Sequence, residues 1–315
     1  MRRKLYVLLL SAALLLLGSP AAQAAENGEW AVYPAAARLG ERPYFFLTAD
    51  PGATLRDRVT VANKTAEPLT FRLYGADAYN TERDGGFALR TLKEPQTGTG
   101  AWIKPERATV TVPPRSAVTV PFTLTVPADA DPGDHPGALV ALDERIAPAD
   151  GGSVALGIQR AVGARVYLKV SGPAVPALAV EDVTLEQDRP VVPGVRDGTA
   201  VVTYTLHNRG NVTLNPQVVL SAQGLFGRTL LDRDLAQVPS ELLPRQRIRL
   251  TEKWIGSPQF DWGEVTLTAT AKDVRESAGV SFVALPWPLA GVLLLAAGGG
   301  LAGWWIRRRA ARPGH

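Results

Sequence analysis

Residues 118–126 read Val-Thr-Val-Pro-Phe-Thr-Leu-Thr-Val, with an apolar side chain at every second position and threonine at most of the positions between. Successive side chains of an extended strand point to opposite faces, so a period of two predicts one buried and one solvated face. The same alternation recurs at residues 59–62 and 69–73. These runs predict half-buried β-strands.

Prolines fall between the alternating runs. Pro68 precedes one run, Pro113 and Pro114 precede another, and Pro127 follows it. Proline has no N–H to donate to a ladder, so prolines outside the runs are compatible with regular strand pairing. Between about residues 25 and 284 no stretch keeps a helical spacing for long. Short strands separated by prolines in this way predict an all-β fold of antiparallel sandwiches.

An internal repetition predicts two such domains. Residues 59–71 read VTVANKTAEPLTF and residues 204–214 read YTLHNRGNVTL, so that Asn63 and Asn208 each close a strand before a polar turn. Asparagine suits such turns because it tolerates positive φ and its side chain can bond to nearby backbone groups.

A second pair of segments supports the repetition. VPPRSAV at 112–118 is matched by LPRQRI at 243–248, again as a turn between strands. We therefore predict two immunoglobulin-like β-sandwich domains, over residues 25–172 and 173–283, with the boundary near Ser171-Gly-Pro-Ala-Val-Pro176.

The C-terminal part of the chain predicts a membrane anchor. Residues 285–306 read LPWPLAGVLLLAAGGGLAGWWI without a charge, and Arg307 to Arg309 follow directly. A helix of roughly 20 apolar residues can cross a bilayer, and tryptophans favour its two interfaces. We therefore expect a transmembrane helix over 285–306 and a cytoplasmic basic tail over 307–315.

The N-terminal residues complete the expected topology. Three basic residues at 2–4 precede an apolar run at 5–17 and the small residues of GSPAAQAA. This is the pattern of a signal peptide, here residues 1–24, with cleavage after Ala24. An uncleaved anchor is the alternative, and the short apolar run disfavours it. The expected location is the cell membrane, single-pass, with the β-rich domains extracellular and the C-terminus cytoplasmic.

Composition narrows the partners. The chain has a formal net charge of +4, but 27 basic and 30 acidic residues lie between the signal peptide and the tail, giving the exported part a charge of −3. A near-neutral surface of this kind argues against nucleic acid as a ligand held by bulk charge. The absence of cysteine excludes disulfides, thiolate metal sites and a cysteine nucleophile.

Catalytic and metal-binding patterns are weak. His135 lies in Asp131-Pro-Gly-Asp-His-Pro-Gly137, which we interpret as a Pro/Gly turn rather than a metal site because it lacks the regular oxygen-ligand spacing of a calcium loop. His207 stands beside the turn residue Asn208 and is interpreted as a solvated strand-end residue. The expected protein is not an enzyme and needs neither metal nor cofactor; a wall hydrolase is the least favoured hypothesis.

The candidate ligand-binding residues are polar and aromatic side chains after the second alternating run. We single out Asp77, Tyr79, Asn80, Thr81 and Trp102, which could offer hydrogen bonds and aromatic faces to a sugar polymer or a partner strand. The equally balanced alternative is an ordered loop closed by Asp84-Gly-Gly. For Trp102 the alternative is a lid on the sandwich edge.

An ordered set of short motifs carries a family resemblance across residues 30–170. The set resembles the WxL-interacting proteins of Gram-positive cell surfaces. Its members are Trp30-Ala-Val-Tyr-Pro34, Tyr44-Phe-Phe-Leu47, Pro51-Gly52, Val59-Thr-Val-Ala-Asn63, Asp77-Ala-Tyr-Asn-Thr81, Gly86, Trp102-Ile103, Val126-Pro127 and Gly133 with Pro136-Gly-Ala-Leu-Val140.

The resemblance implies a non-catalytic surface protein whose first domain binds peptidoglycan or another wall glycan. It also implies secreted proteins with Trp-x-Leu motifs as partners, and a lipid bilayer holding the anchor. Residues 176–283 match the second domain of that family only in architecture. The main rival is an assembly chaperone or docking subunit in which an exposed sheet edge accepts a strand of the partner.

Overall fold

A computed structural model describes residues 25–37, 40–148, 157–188, 196–285 and 287–310. The predicted signal peptide at 1–24 and the end of the predicted tail, beyond 310, lie outside these residues. The fold is mainly β, with 56% strand and 8% helix. The prediction of immunoglobulin-like β-sandwiches is confirmed. Two compact units divide the chain, one formed by residues 1–78 and 89–172 and the other by 79–88 and 173–315.

The first unit packs two main sheets against each other. One has the order β1-β2-β4-β9-β7, and the other has the order β3-β13-β10-β5-β6, with β8 also paired to β5. The last two residues of β5 and the first two of β6 are grouped with the second unit. All described pairs are antiparallel except β3 with β13. The strands are β1 (Ala25–Glu26), β2 (Trp30–Pro34), β3 (Phe45–Ala49), β4 (Thr54–Asn63), β5 (Leu69–Asn80), β6 (Phe87–Leu89), β7 (Ile103–Pro105), β8 (Thr109–Val112), β9 (Ala117–Thr125), β10 (Gly133–Asp143), β11 (Ala147–Pro148), β12 (Gly157–Ile158) and β13 (Ala161–Val170), and one helical turn, α1, spans Thr99–Trp102.

Aromatic side chains join the two sheets of the first unit. Trp30 on β2 lies 5.3 Å from Phe71 on β5, measured between ring centroids. Phe45 on β3 meets Phe122 on β9 edge to face at 5.2 Å. All four side chains are buried. Aromatic pairs in such tilted and edge-on arrangements stabilise a core beyond the area they bury.

The second unit is a smaller sandwich with sheet orders β14-β15-β18 and β17-β16-β19-β20. Its core is centred on buried Tyr204, and Trp254 meets Phe282 across the sheets at 6.0 Å. The strands are β14 (Leu178–Asp188), β15 (Thr199–Asn208), β16 (Gln217–Gln223), β17 (Thr229–Asp234), β18 (Arg247–Ile255), β19 (Asp261–Ala271) and β20 (Val274–Ala284).

The repetition seen in the sequence corresponds to a repeated corner. In the first unit Asn63 is buried, its Oδ1 accepts the Thr65 N–H at 2.9 Å, and its Nδ2 donates to the carbonyls of Glu67 (2.7 Å) and Val112 (3.1 Å). The amide thereby connects the end of β4 to its own turn and to the end of β8.

The second unit repeats this corner around Asn208. Its Oδ1 accepts the Gly210 N–H at 3.0 Å, and its Nδ2 donates to the carbonyls of Val212 (2.8 Å) and Leu242 (3.0 Å). Leu242 therefore corresponds to Val112, whereas the sequence repeat had matched Val112 with Leu243. Arg115 and Arg245, three residues on, both adopt positive φ, at 49° and 61°.

The chain after β20 forms a helix, α2 (Trp287–Ala310). Within the part of the chain that the structure describes, no helix combines the length and the apolar character needed to cross a membrane. The predicted membrane span over 285–306 is therefore not confirmed.

The segment around His135 differs from its predicted conformation. It is not a turn but the start of β10, because Asp134, His135 and Pro136 pair with Lys169, Leu168 and Tyr167 on β13. Pro136 is tolerated because β10 pairs with β5 only from Gly137 onward, so no ladder hydrogen bond is needed on that side.

Candidate binding surface at an open sheet edge

Asp77 organises the backbone of a neighbouring loop. Its buried carboxylate accepts the N–H groups of Thr97 (2.6 Å), Gly98 (2.9 Å) and Gly100 (2.7 Å). A carboxylate that accepts several backbone N–H groups forms strong, charge-assisted hydrogen bonds. The geometry gives Asp77 a role in fixing residues 97–100, and it leaves the carboxylate facing the protein rather than solvent.

Asn80 is also used within the chain. It is buried, its Nδ2 donates to the carbonyls of Gly85 and Glu241 at 2.7 Å each, and its Oδ1 accepts the Leu243 N–H at 2.9 Å. With these bonds made, the amide clamps the segment 79–88 to the corner that precedes β18. Asn80 in the second unit therefore acts on its turn as the buried Asn63 and Asn208 do on theirs.

Thr81 and Tyr79 lie on the same segment. The Thr81 hydroxyl hydrogen-bonds to the Asp84 carboxylate, which also accepts the Gly86 N–H at 3.0 Å. These bonds order the turn at residues 81–86. Tyr79 is half-buried.

Trp102 ends helix α1 and packs against the core of the first unit. Its ring lies 4.9 Å from the imidazole of His135, whose Nε2 is 2.8 Å from the carbonyl oxygen of Asp131. Of the five predicted residues, Asp77 and Trp102 belong to the first unit, and Tyr79, Asn80 and Thr81 belong to the second.

A different surface of the first unit has the features of a binding site. Strand β3 lies at the end of its sheet and, among the described strands, pairs only with β13. The Ala49 carbonyl accepts the Ser171 N–H at 2.9 Å, so the backbone groups of Ala49 point toward β13. Because backbone groups alternate along a strand, those of Phe46 and Thr48 point away from the sheet. Two N–H and two C=O groups therefore line this edge.

Aromatic side chains flank the open edge on the outer face of the sheet. Phe46 is 67% exposed and stacks on Tyr167 of β13, with the centroids 5.3 Å apart and the planes 12° from parallel. Tyr44 meets both rings edge on, at 6.1 and 5.7 Å. We call Tyr44, Phe46 and Tyr167, with the outer edge of β3, the aromatic edge.

Arg165 adds a positive charge beside these rings. Its guanidinium lies 5.8 Å from the Tyr44 centroid, and its Nη1 donates to the Tyr167 hydroxyl at 3.0 Å. Cation–π contact and a hydrogen bond together hold the two tyrosines in place. The aromatic edge is therefore pre-formed, which lowers the entropy lost when a ligand is bound.

Two edge strands of the second unit, β14 and β18, are protected against pairing in ways that β3 is not. Strand β14 carries a bulge between Glu181 and Thr184, with Asp182 at φ 52°. On β18, the Lys253 carbonyl accepts a hydrogen bond from Arg233 at 2.6 Å. Charges and bulges are the usual protection of sheet edges. Strand β3, with the sequence FFLTA, has neither.

A charged cluster marks the outer face of the β14-β15-β18 sheet in the second unit. Glu181 pairs with Arg209, with Arg247 at 2.8 Å and with His207 at 3.2 Å. The hydrogen bond from Arg209, followed by that from His207, holds the pKa of Glu181 below its ordinary value. This is an ion-pair network on a sheet surface. In the ranges that the structure covers, no group of three or more histidine, aspartate or glutamate side chains is placed to hold a metal ion.

The sequence contained one sign of the aromatic edge. The run Tyr44-Phe-Phe-Leu47 has four large apolar residues in succession, more than one buried face of a strand can hold. Alternation places Phe45 inside and Phe46 outside. Tyr167 could not be paired with Phe46 from the sequence, because 121 positions separate them and only the parallel β3–β13 ladder brings them together.

The fold defines a class, the immunoglobulin-like β-sandwich proteins. No protein-family model and no curated protein sequence match the chain. Its fold is similar to the class 5 fimbriae chaperone CfaA, at 11% identity and a TM-score of 0.36 over 82% of this chain and 99% of that one. It is also similar to the YadV chaperone (8%, 0.34, 81% and 100%) and to a chain of the CsuC–CsuE chaperone–tip adhesion subunit complex of Acinetobacter baumannii (9%, 0.36, 70% and 89%). Likenesses this distant carry no argument about function.

Proposed function

We propose that this chain is a non-catalytic binding protein whose first unit accepts an extended segment of a protein partner along β3. The main support for this proposal is that the backbone groups of Phe46 and Thr48 point away from the sheet, on an edge without charge, proline or bulge. Addition of a strand to an open edge is a recurrent mode of peptide recognition, in which the main chain supplies affinity and alternate side chains supply specificity.

The aromatic edge sets the preferred segment. A partner strand beside β3 would place alternate side chains on the same face as Phe46 and Tyr167, where apolar or aromatic groups can be buried. Acidic residues near Arg165 would be tolerated on the same face, because its guanidinium lies against Tyr44. We therefore expect partners with alternating apolar residues and few basic ones.

The size of the edge limits the affinity. Four main-chain hydrogen bonds contribute about 2–6 kcal/mol together, at about 0.5–1.5 kcal/mol each. Burial of one exposed aromatic side chain adds about 1.5–3 kcal/mol. Loss of translational and conformational freedom offsets much of this gain. The expected contact is reversible, as a docking or assembly subunit requires.

Proline substitution tests the main-chain contribution. Thr48→Pro removes an outward N–H without breaking a bond to β13, and Thr48→Ala is the matched control that keeps the N–H. Peptides of twelve random residues, displayed on phage and selected on the full chain, should bind Thr48→Pro roughly tenfold more weakly and Thr48→Ala unchanged. Equal binding to the proline variant would refute strand addition.

A wall glycan is the second candidate, favoured by the exposed Phe46 ring on its Tyr167 support. Sugar rings can pack on such an aromatic face without using the strand backbone. Sedimentation of the full chain with purified peptidoglycan distinguishes the candidates. Retention that is lost in Phe46→Ala and kept in Thr48→Pro would favour the glycan, whereas no retention by the unmodified chain would exclude it.

The cell-membrane location and the secreted Trp-x-Leu partners stay predictions from the sequence. Neither is needed for strand addition at β3. A Trp-x-Leu segment would, however, be a reasonable first peptide to measure, because it offers an indole and an alternate leucine to the aromatic edge.

A further inference from the structure

One end of the second unit exposes a group of large apolar side chains. Phe226 is 99% exposed, Phe260 68%, Trp262 59% and Val283 55%. Together with Leu225, Ala284 and Leu285 they line a pocket of about 320 Å³. Exposed apolar groups that cluster around a cavity mark an interaction site more often than single exposed residues do. We call Phe226, Phe260, Trp262 and Val283 the apolar end.

The loop that carries Phe226 is built to hold the ring outward. Asp261, buried at the base of the pocket, accepts the Leu225 and Trp262 N–H groups at 2.9 Å each and pairs with Arg228 at 2.7 Å. Between these anchors Phe226 adopts φ 57°, a left-handed conformation that costs stability for a residue with a side chain. The anchored loop thus keeps an aromatic ring in a strained and fully solvated position.

The apolar end continues directly into an apolar helix. Leu285 lines the pocket, and α2 begins at Trp287. On that helix Leu294 is 74% exposed, Leu295 78%, Leu301 67% and Trp304 52%. One uninterrupted stretch of chain therefore joins the pocket to several solvated leucines.

The arrangement of these helix residues favours lipid over a second copy of the chain. A helix turns by about 100° per residue, so Trp304, Leu294 and Leu295 together span about 180° of its circumference. A neighbouring helix typically covers a stripe of about 100°, so an exposed apolar arc of this width is more than one partner helix would bury. Tryptophan favours the bilayer interface, and phenylalanine is common on apolar faces that lie in it; the adjoining apolar end presents both.

We propose that the apolar end of the second unit docks on the surface of a phospholipid bilayer, with Phe226 and Trp262 inserted at the interface beside α2. This contact is separate from the aromatic edge of the first unit. It does not require α2 to cross the membrane, since burial of an apolar face at the interface is enough for binding.

Vesicle binding by the full chain tests the proposal. Phe226→Glu should weaken partition into phosphatidylcholine vesicles roughly tenfold, because one buried aromatic side chain is lost. Val175→Glu is the matched control. Val175 is a 54% exposed apolar residue at the other end of the unit, beside the Asn208 corner, where its N–H donates to Asn211. Partition should not change in that variant.

A depth measurement covers the case in which α2 alone dominates binding. The chain has no cysteine, so Phe226→Cys and Glu276→Cys can each carry a single fluorophore. Glu276 lies on β20, eight positions before Ala284 and therefore about 26 Å from the apolar end. Doxyl-labelled lipid should quench the label at 226 and leave the label at 276 unaffected.

Three results would overturn the proposal. The first is that the unmodified chain does not bind the vesicles. The second is that Phe226→Glu binds them as well as Val175→Glu does, with equal quenching at 226 and 276. The third is self-association without lipid that already shields the label at 226, which would assign the apolar end to a second copy of the chain.

Discussion

Replacement of Asn208 by alanine should lower the free energy of unfolding of the second unit. The amide is fully buried and makes three hydrogen bonds, from Gly210 N–H and to the carbonyls of Val212 and Leu242. Alanine removes all three. The Leu242 carbonyl keeps the Leu214 N–H as a donor at 2.9 Å, so two buried groups lose the partner that Asn208 supplied.

Each buried polar group that loses its partner costs about 1–3 kcal/mol. Asn208→Ala should therefore lower the free energy of unfolding by about 2–6 kcal/mol, a large share of the 5–15 kcal/mol typical of a domain. Asn208→Asp should cost at least as much above pH 5, because a carboxylate oxygen would face two carbonyl oxygens. Urea unfolding, monitored by hydrogen exchange of the backbone amides in β15 and β18, measures both losses of stability.

Asn63→Ala is the matched control, because it removes the equivalent amide from the first unit. Protection should then fall in β4 and β9 while β15 and β18 are unchanged. Ordinary surface substitutions change the free energy of unfolding by less than about 0.5 kcal/mol. A loss of that size for Asn208→Ala would show that the amide does not hold the corner.

Three further predictions concern the loop, the surface charges and the core. Gly100→Ala should disorder the loop before β7, because a Cβ there would stand 2.5 Å from the Asp77 backbone nitrogen; proteolysis within 91–100 would detect it, and an unchanged digest would contradict it. The pKa of Glu181 is lowered in the folded chain, chiefly by Arg209, so its stabilisation is present above about pH 4.5 and is lost as the pH falls through the folded-state pKa. Glu181→Gln should flatten that acid dependence in urea titrations, and an identical pH profile would count against it. Phe122→Ala should cost about 3–5 kcal/mol in thermal unfolding, since its ring is 2% exposed, and a loss under about 1 kcal/mol would show that the core refills the space.

Alternation along the chain predicted the strands of both units well because each strand has one face on a core. The run at 118–126 corresponds to β9, Ala117–Thr125, and the run at 69–73 lies within β5, Leu69–Asn80. A turn was predicted wrongly where prolines and glycines lie within a paired strand. Asp131–Gly137 looked like a turn because of its prolines and glycines, but ten successive pairs with β13 make most of it a strand.

The candidate ligand residues could not be judged from the sequence because their partners are distant along the chain. Asp77 bonds to residues 20–23 positions away, and Asn80 bonds to Glu241, 161 positions away. A polar residue that serves such contacts is indistinguishable, in sequence, from one that waits for a ligand. Phe46 posed the converse problem, because a large apolar residue in a strand is normally assigned to the core.

The asymmetry of edge protection is the strongest reason to expect a partner at β3. In the second unit two edge strands, β14 and β18, are interrupted or covered at a structural cost, with Asp182 in a left-handed conformation and Arg233 placed over the Lys253 carbonyl. An open, uncharged edge such as β3 promotes aggregation unless something occupies it. Because the two rings beside it are already stacked and tied to Arg165, the surface is ordered before any ligand arrives. An edge that is both unprotected and pre-ordered is expected to be occupied during at least part of the life of the protein, and an extended segment satisfies its backbone groups and covers its rings at once.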